Sequence, residues 1–256
     1  MAAEGLHISL APEHIADIGG LPLTPSILTS WITTVLILAA AFFIGRNLKL
    51  VPGKGQVVVE TFVGGVMDYM KNALEDVKLA ERYFPLIASI FVFVLFMNLV
   101  GFLPIMESVG FIDHEGHFIP LFYPVNADLN TPLALAIISF LVIEIAGIVH
   151  LGFLKYASKF VNFSSPMNFF VGILEIIGNL ARLVSLSFRL FGNILAGHLL
   201  IVVLMFFAAY LLPLPFLFFE VFVAFIQAAI FSLLTLFFIK LSVTEPHGEE
   251  HVEAHA

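Results

Sequence analysis

The longest uninterrupted apolar segment, residues 167–212, limits the folds open to this chain. It contains no proline and consists mostly of Leu, Ile, Val and Phe, which predicts one continuous helix or two helices end to end. At 1.5 Å per residue it would extend about 65 to 70 Å, roughly twice the ~30 Å hydrocarbon thickness of a bilayer. It therefore cannot cross a membrane upright, and we expect it to be strongly tilted or bent along the membrane.

The same segment carries ionisable side chains that a lipid-facing helix avoids. At 100° per residue, five polar residues fall within about 80° of one another: Glu175, Asn179, Arg182, Arg189 and Asn193. His198 points about 180° away from Arg189, on a second polar face. The small residues Gly192, Ala196 and Gly197 would let a neighbouring helix approach closely. This pattern predicts an element that handles charge between two partners.

The composition is that of a polytopic membrane protein, and the long apolar segments predict an all-α fold. Hydrophobic residues make up 60% of the 256 residues, and charged residues only 12%. The absence of cysteine excludes disulfides, thiolate metal sites and cysteine nucleophiles. The net charge of -8 gives no support to nucleic-acid binding.

The hydropathy pattern predicts five membrane crossings. We expect three separate spans at residues 27–45, 83–104 and 131–154, and a tilted hairpin of two long helices at residues 167–212 and 216–241. Residues 55–82 mix apolar and charged side chains, which predicts an amphipathic helix on the membrane surface. The remaining segments are an external tail, 1–26, and a polar tail, 242–256. The chain is thus predicted to form a single membrane domain.

The basic residues predict the orientation. Nine of the eleven Lys and Arg residues flank the same set of predicted membrane ends, and only Arg182 and Arg189 lie within the long helix. The N-terminal tail, the loop around residues 105–130 and the Pro213 turn contain none. By the positive-inside rule we expect the N-terminus outside and the C-terminus in the cytoplasm or its equivalent.

Several other ionisable residues leave two interpretations open. Glu144 lies near the middle of the third span, where a carboxyl group is costly and usually functional. Asp128 either caps the third span or shapes an external funnel. His114, Glu115 and His117 resemble a weak metal site, although an acidic solvated loop is the simpler interpretation. We expect neither a metal nor a cofactor.

Several motifs together resemble the signature of one family. SLSF at 185–188 precedes RLFGN at 189–193, and a polar residue, His198, follows five positions later. FMNLVGFLP at 96–104, ADLNTPLALA at 127–136 and Glu175 fourteen positions before Arg189 extend the match. So does the last helix, with Glu220 and Gln227. This combination resembles subunit a of the F-type ATP synthase, with His and Glu placed as in mitochondrial and related bacterial forms.

The resemblance implies a role for each of these residues in two offset proton half-channels. Arg189 would be the essential arginine facing the carboxylates of a rotor ring, with Asn193 and Gln227 as polar neighbours. His198 and Glu220 would line the outer half-channel. Glu175 and Arg182 would line the inner half-channel, although Glu175 could simply pair with Arg182 or Asn179 at the membrane edge. No role in the family could be assigned to Glu144.

The resemblance also implies partners and a location. The partners are a ring of hairpin rotor subunits, a peripheral stalk, a soluble catalytic head and membrane lipid, and the chain itself would have no active site for ATP. A bacterial inner membrane is favoured over a mitochondrial one. The sequence is compatible with H⁺ or Na⁺, because the ring carboxyl site would set the selectivity. The competing hypotheses are a stand-alone secondary transporter or channel in which Arg189 binds an anion, and a membrane scaffold without transport.

Overall fold

The described part of the chain is almost entirely helical. The computed structural model describes residues 15–18, 21–103, 106, 108–112, 118–160, 166–207 and 211–244. Within them lie seven α-helices: α1 Pro25–Arg46, α2 Lys54–Leu74, α3 Val77–Gly101, α4 Asn130–Leu151, α5 Phe153–Phe160, α6 Pro166–Phe207 and α7 Pro213–Val243. Five of them, α1, α3, α4, α6 and α7, are long and apolar enough to cross a membrane. The predicted all-α polytopic class is confirmed.

Two short antiparallel hairpins lie outside the helices. In the first, β1 Ala16–Ile18 pairs with β2 Leu21–Leu23, directly before α1. In the second, β3 Gly110–Ile112 pairs with β4 Phe118–Pro120, in the connection between α3 and α4. A 3-10 turn, Val125–Ala127, follows the second hairpin. The predicted tails lie largely beyond the described residues.

The prediction of one surface helix over residues 55–82 is wrong in its extent, because the helix is interrupted between α2 and α3. Glu75 adopts a left-handed backbone conformation with φ of 58°. The Asp76 carboxylate then accepts hydrogen bonds from the backbone N–H groups of Lys78 at 2.8 Å and Leu79 at 3.2 Å. Such a side-chain cap starts a new helix. Residues 77–82 therefore belong to the second membrane-length helix.

The third span also ends earlier than predicted. α4 stops at Leu151, and Gly152 follows with a positive φ of 82°, a conformation in which glycine carries no steric penalty. Lys155 and Lys159 therefore lie on a separate short helix, α5. The ring of its Tyr156 packs so closely on Gly147 of α4 that a side chain at position 147 would collide with it.

The long segment forms one continuous helix. α6 has 42 residues, which corresponds to about 63 Å at 1.5 Å per residue. It begins at Pro166 and ends at Phe207, and the predicted residues 208–210 lie outside the described part. α7 begins at Pro213, three residues before the predicted start, because proline is well tolerated in the first turn of a helix.

Two apolar clusters hold the bundle together. One joins α2, α3, α4 and α7 through residues such as Met70, Ile87, Ile143 and Leu236. The other joins α3, α4, α6 and α7 through Val94, Ala136, Leu190, Ile194 and Phe231. Most of the apolar side chains of α1 remain exposed, as expected for a helix that faces lipid or a partner.

Candidate functional site: a polar and charged surface along α6

Arg189 lies on an exposed face of α6. Its Nη2 atom donates a hydrogen bond of 3.2 Å to Ser185 Oγ, one turn earlier on the same helix. Four exposed residues that lie one or two turns to either side on the same face are small: Ala181, Ser185, Gly192 and Ala196. A β-carbon added at Gly192 would meet no atom within 4 Å. This face therefore combines a permanent positive charge with a surface that another helix could approach closely.

Glu220 and Gly197 meet between α7 and α6. The Glu220 carboxylate occupies the space that a β-carbon at Gly197 would need. Glu220 is buried, and its Oε2 atom has no hydrogen-bond partner among the described residues. The ring of His198, the next residue of α6, forms an edge-to-face contact with Tyr123 at 5.7 Å between centroids. The structure thus places Glu220 beside the turn of α6 that carries His198.

The two predicted amide neighbours lie on different helices. Asn193, on α6, is partly buried, and its Nδ2 atom has no partner within the described part of the chain. Gln227 is partly buried on α7, seven residues after Glu220 and hence about 20° from the same direction. The contact of both residues with Arg189 stays a prediction.

Asp128 joins α1 to the start of α4. Its Oδ2 atom accepts a hydrogen bond of 2.6 Å from Ser26 Oγ, and its Oδ1 atom accepts one of 3.0 Å from the backbone N–H of Asn130. Of the two open interpretations for this residue, the structure thus supplies the contact expected of a helix-capping role. We name this end of the bundle the Asp128 end.

Two buried asparagines near the Asp128 end were missed in the sequence. Asn126 Nδ2 donates to Asn98 Oδ1 at 2.7 Å, and Asn98 Nδ2 donates to the Ala224 carbonyl at 3.4 Å. The signal for Asn98 was an amide inside the apolar part of α3, which is costly unless it has partners. The partner itself lies 28 residues away and could not be inferred from spacing along one helix.

The other predicted polar residues form a connected group with Tyr156 of α5, which the sequence analysis did not single out. We name this group the Glu144 cluster: Glu144, Tyr156, Glu175, Asn179 and Arg182. Asn179 Nδ2 donates to Glu144 Oε1 at 3.2 Å, and Arg182 Nη1 donates to Asn179 Oδ1 at 2.8 Å. Arg182 Nη2 lies 3.7 Å from Glu175 Oε1. The Tyr156 hydroxyl donates to Glu144 Oε2 at 2.9 Å. Three helices therefore contribute to one polar group.

Helix α5 places a second cation beside the Glu144 cluster. Lys159 Nζ lies 5.3 Å from the centroid of the Tyr156 ring, and donates to the carbonyls of Ser242 at 3.3 Å and Thr244 at 3.4 Å. Burial lowers the pKa of Lys159, and Glu175 and Glu144 oppose that effect. The pKa of Tyr156 is raised, first by burial and then by its hydrogen bond to Glu144.

A second ionic contact, after that of Arg182 with Glu175, lies at the C-terminal end of α7. Lys240 Nζ lies 2.9 Å from Glu75 Oε1, which ties the last turn of α7 to the break between α2 and α3. This hydrogen bond, and then the charge of Lys240, lower the pKa of Glu75. We name this end of the bundle the Lys240 end. Its cations Lys159 and Lys240 contrast with the acidic group at the Asp128 end.

The two polar groups are separated along α6, and Arg189 lies between them. Arg182, in the Glu144 cluster, is seven residues before Arg189, a rise of about 10 Å. His198, beside Glu220, is nine residues after Arg189, a rise of about 13 Å. Such an arrangement can offer a proton two sets of titratable groups, with a fixed positive charge between them.

A metal centre receives no support from the described residues. No group of three or more His, Asp or Glu side chains within them is arranged to hold a metal ion. The predicted weak cluster of His114, Glu115 and His117 lies outside the described part, as do the histidines of the C-terminal tail.

Five membrane-length helices with ionisable groups inside them define a polytopic membrane protein with a charge-handling surface. A comparison with protein families then identifies which one: the model described as ATP synthase A chain matches residues 27–240. The chain belongs to this family.

Individual bacterial relatives agree over nearly the whole length. The chain is 36% identical over 247 residues to "ATP synthase subunit a 3" of Pelobacter propionicus, covering 95% of this chain and 96% of the relative. It is 36% identical over 242 residues to "ATP synthase subunit a" of Geobacter sulfurreducens, covering 93% and 94%. The corresponding protein of Geotalea uraniireducens is 34% identical over 242 residues, with the same coverage.

Family membership establishes the general function of the chain. Membership of this family indicates that the chain is a proton-translocating subunit of the membrane sector and that it associates with the ATP synthase complex. Bacterial relatives and five apolar helices support a multi-pass protein of the bacterial inner membrane.

Proposed function

We propose that this chain forms the stator side of two offset proton half-channels and presents Arg189 to the carboxylates of a rotor ring. The observation that carries this proposal is the position of Arg189, which is exposed on α6 between two separate polar groups. A path that joined the two groups directly would short-circuit the membrane. Because Arg189 separates the two groups in this proposal, protons cross the membrane only by binding to the ring and turning with it.

The chemistry of arginine suits this position. Its guanidinium stays protonated at any usable pH, so Arg189 is a permanent positive charge. It favours the ionised form of a ring carboxyl that passes nearby, because an opposite charge stabilises a carboxylate. It also repels a proton that would otherwise run from one half-channel to the other. The exposed small residues Gly192 and Ala196 give a ring helix room to approach.

His198 and Glu220 are proposed to line the outer half-channel, with Asn193 and Gln227 as polar neighbours of Arg189. The buried carboxylate of Glu220 beside Gly197 supports this role, since its Oε2 atom, which has no hydrogen-bond partner among the described residues, is available to exchange a proton. Asp128 is proposed to act mainly as a support for the outer end, because its two oxygens already accept hydrogen bonds.

Glu175 and Arg182 are proposed to line the inner half-channel. They lie 3.7 Å apart with side chains that are 40% and 29% exposed, so the rest of the described chain does not enclose them. The proposed orientation has the Asp128 end outside and the Lys240 end, with Lys159 and Lys240, in the cytoplasm. The ring is proposed to contact the Arg189 face, and the peripheral stalk the α2 region. The soluble catalytic head joins the chain only through the complex.

The test is ATP-driven acidification of inverted vesicles that contain the whole complex. Arg189→Ala is expected to abolish pumping while the subunit remains in the purified complex, and His198→Ala is expected to weaken it. Arg46→Ala is the matched control, because Arg46 is an exposed arginine in the last turn of α1. Pumping at the wild-type rate by Arg189→Ala would refute the proposed role of Arg189.

A further inference from the structure

Glu144 lies within a membrane-length helix. Neither the motifs nor the proposed half-channels supply a role for its carboxyl group. It lies on α4, one helix away from the polar stripe of α6, and is partly buried. An ionised group in this position is costly unless other groups satisfy it. Both of its oxygens are satisfied: Tyr156 donates to one and Asn179 to the other.

The hydrogen bonds around Asn179 have only one possible direction. A carboxylate can only accept hydrogen bonds, a guanidinium can only donate them, and an amide has one end of each kind. Glu144 therefore binds the amino end of Asn179, which turns the carbonyl end towards Arg182. An apolar residue at position 144 would remove this constraint, and the amide could rotate.

Asn179 makes the closest polar contact that holds Arg182. The distance from Arg182 Nη1 to Asn179 Oδ1 is 2.8 Å, whereas the distance from Arg182 Nη2 to Glu175 Oε1 is 3.7 Å. The guanidinium also lies 5.1 Å from the centroid of the Phe238 ring of α7. A planar group held by one short hydrogen bond, one ring and one loose ion pair depends strongly on that hydrogen bond.

We propose that Glu144 is a positioning residue for the inner half-channel: through the amide of Asn179 it orients the guanidinium of Arg182 towards Glu175. This inference rests on the proposed function of Arg182 and Glu175. It assigns no proton transfer to Glu144 itself, because both of its oxygens already bind donors. The charged and titratable groups around it are Tyr156 and Lys159 of α5 and Glu175 and Arg182 of α6. From α7 it is the aromatic ring of Phe238 that contacts Arg182.

Glutamine and leucine at position 144 separate hydrogen bonding from charge. Glu144→Gln keeps a carbonyl oxygen for Asn179, and the Tyr156 hydroxyl can rotate to accept from the new amide. Glu144→Leu removes both contacts but suits an apolar helix. Asn179→Leu breaks the link at its second member and leaves Glu144 in place. Glu81→Gln is the matched control, because Glu81 is an exposed carboxyl group on α3.

The experiment measures ATP-driven acidification in inverted vesicles with the assembled complex, over a range of pH on the side of the ATP. We expect Glu144→Gln to pump within about twofold of wild type, and Glu144→Leu and Asn179→Leu to lose roughly fivefold each, the factor for one hydrogen bond of ordinary strength. Both leucine variants are expected to shift the pH profile in the same direction. The double variant is expected to be no worse than either single variant, because all three break one link.

Three results would overturn the proposal. Loss of pumping in Glu144→Gln equal to that in Glu144→Leu would mean that Glu144 carries protons itself. Wild-type pumping by Glu144→Leu would mean that Arg182 needs no such support. Additive losses in the double variant would mean that Glu144 and Asn179 act independently. Arg189→Ala in the same series separates the two proposals, since its pumping tests the half-channel function and not the role of Glu144.

Discussion

The Glu220 carboxylate lies directly against the α-carbon of Gly197, so that α6 and α7 approach each other through an acidic group and a missing side chain. Even one β-carbon at position 197 would occupy the space of that carboxylate. Glycine is therefore required here for space and not for backbone conformation, since α6 is regular at this point. The position of the buried acid and the separation of the two helices depend on the same residue.

Gly197→Ala is expected to displace Glu220 and to weaken proton pumping. Overpacking of this kind costs about 1–3 kcal/mol, and we expect a loss of pumping of roughly tenfold, because the acid would leave the turn that carries His198. The measurement is ATP-driven acidification by the assembled complex in inverted vesicles. Gly64→Ala on α2 is the control, since a β-carbon there meets no atom within 4 Å.

A second variant tests whether space is the cause of that loss. Glu220→Asp shortens the acid by one methylene, so Gly197→Ala combined with Glu220→Asp is expected to pump better than Gly197→Ala alone. If the combination is worse than either single variant, the contact between the two residues does not limit pumping. Pumping at the wild-type rate by Gly197→Ala would also show that this contact does not limit pumping.

Ser26→Ala is expected to loosen the Asp128 end. The change removes the 2.6 Å hydrogen bond to Asp128 and the 2.9 Å hydrogen bond between Ser26 Oγ and Thr24 Oγ1. It leaves a buried carboxylate oxygen with one donor fewer, which costs about 1–3 kcal/mol. Hydrogen exchange in the purified complex is expected to increase at the first turns of α1 and α4. Ser30→Ala is the control, because within the described part of the chain the Ser30 Oγ atom donates to the Ile27 carbonyl of its own helix. Equal exchange in the two variants would show that Ser26 does not hold α1 against α4.

The fold class and the five membrane-length helices could be predicted because hydropathy alone separates such helices from other segments. The break at Glu75 and Asp76 was missed, since apolar periodicity continues across it while a single left-handed residue and one capping side chain restart the helix. Asp76 was a readable signal for this cap. Gly152 was a similar signal for the early end of α4.

Helical spacing alone could predict the candidate site only where its residues share one helix. The stripe on α6 that contains Glu175, Asn179 and Arg182 follows from helical spacing, and the structure links these residues through Asn179 and Arg182. Their partner Glu144 lies 35 residues from Asn179 on another helix. No periodicity in the sequence encodes which face of α4 meets α6. The half-channel roles of these residues stay predictions.

The contact between Glu75 and Lys240 predicts a pH-dependent attachment of α7 to the break between α2 and α3. The pKa of Glu75 is lowered below its usual value of 4.5, first by the hydrogen bond from Lys240 and then by its charge. A carboxyl whose pKa is lowered by folding contributes stability at pH values above its pKa in the unfolded chain. This stability is lost as the pH falls through its pKa in the folded protein. The contact should therefore persist at neutral pH and be lost in acid below about pH 4.5.

Glu75→Gln removes the charge and should make this region insensitive to that acidification. Hydrogen exchange of residues 74–78 in the purified complex is expected to be faster in Glu75→Gln than in wild type at neutral pH, and equal in the two below the folded pKa of Glu75. A comparison at each pH cancels the intrinsic pH dependence of exchange. High salt should reduce the difference at neutral pH, because both side chains are solvent-accessible. Glu81→Gln, an exposed carboxyl on the next helix, serves as the control. Equal exchange of wild type and Glu75→Gln at neutral pH and low salt would show that the ion pair does not hold α7 to this break.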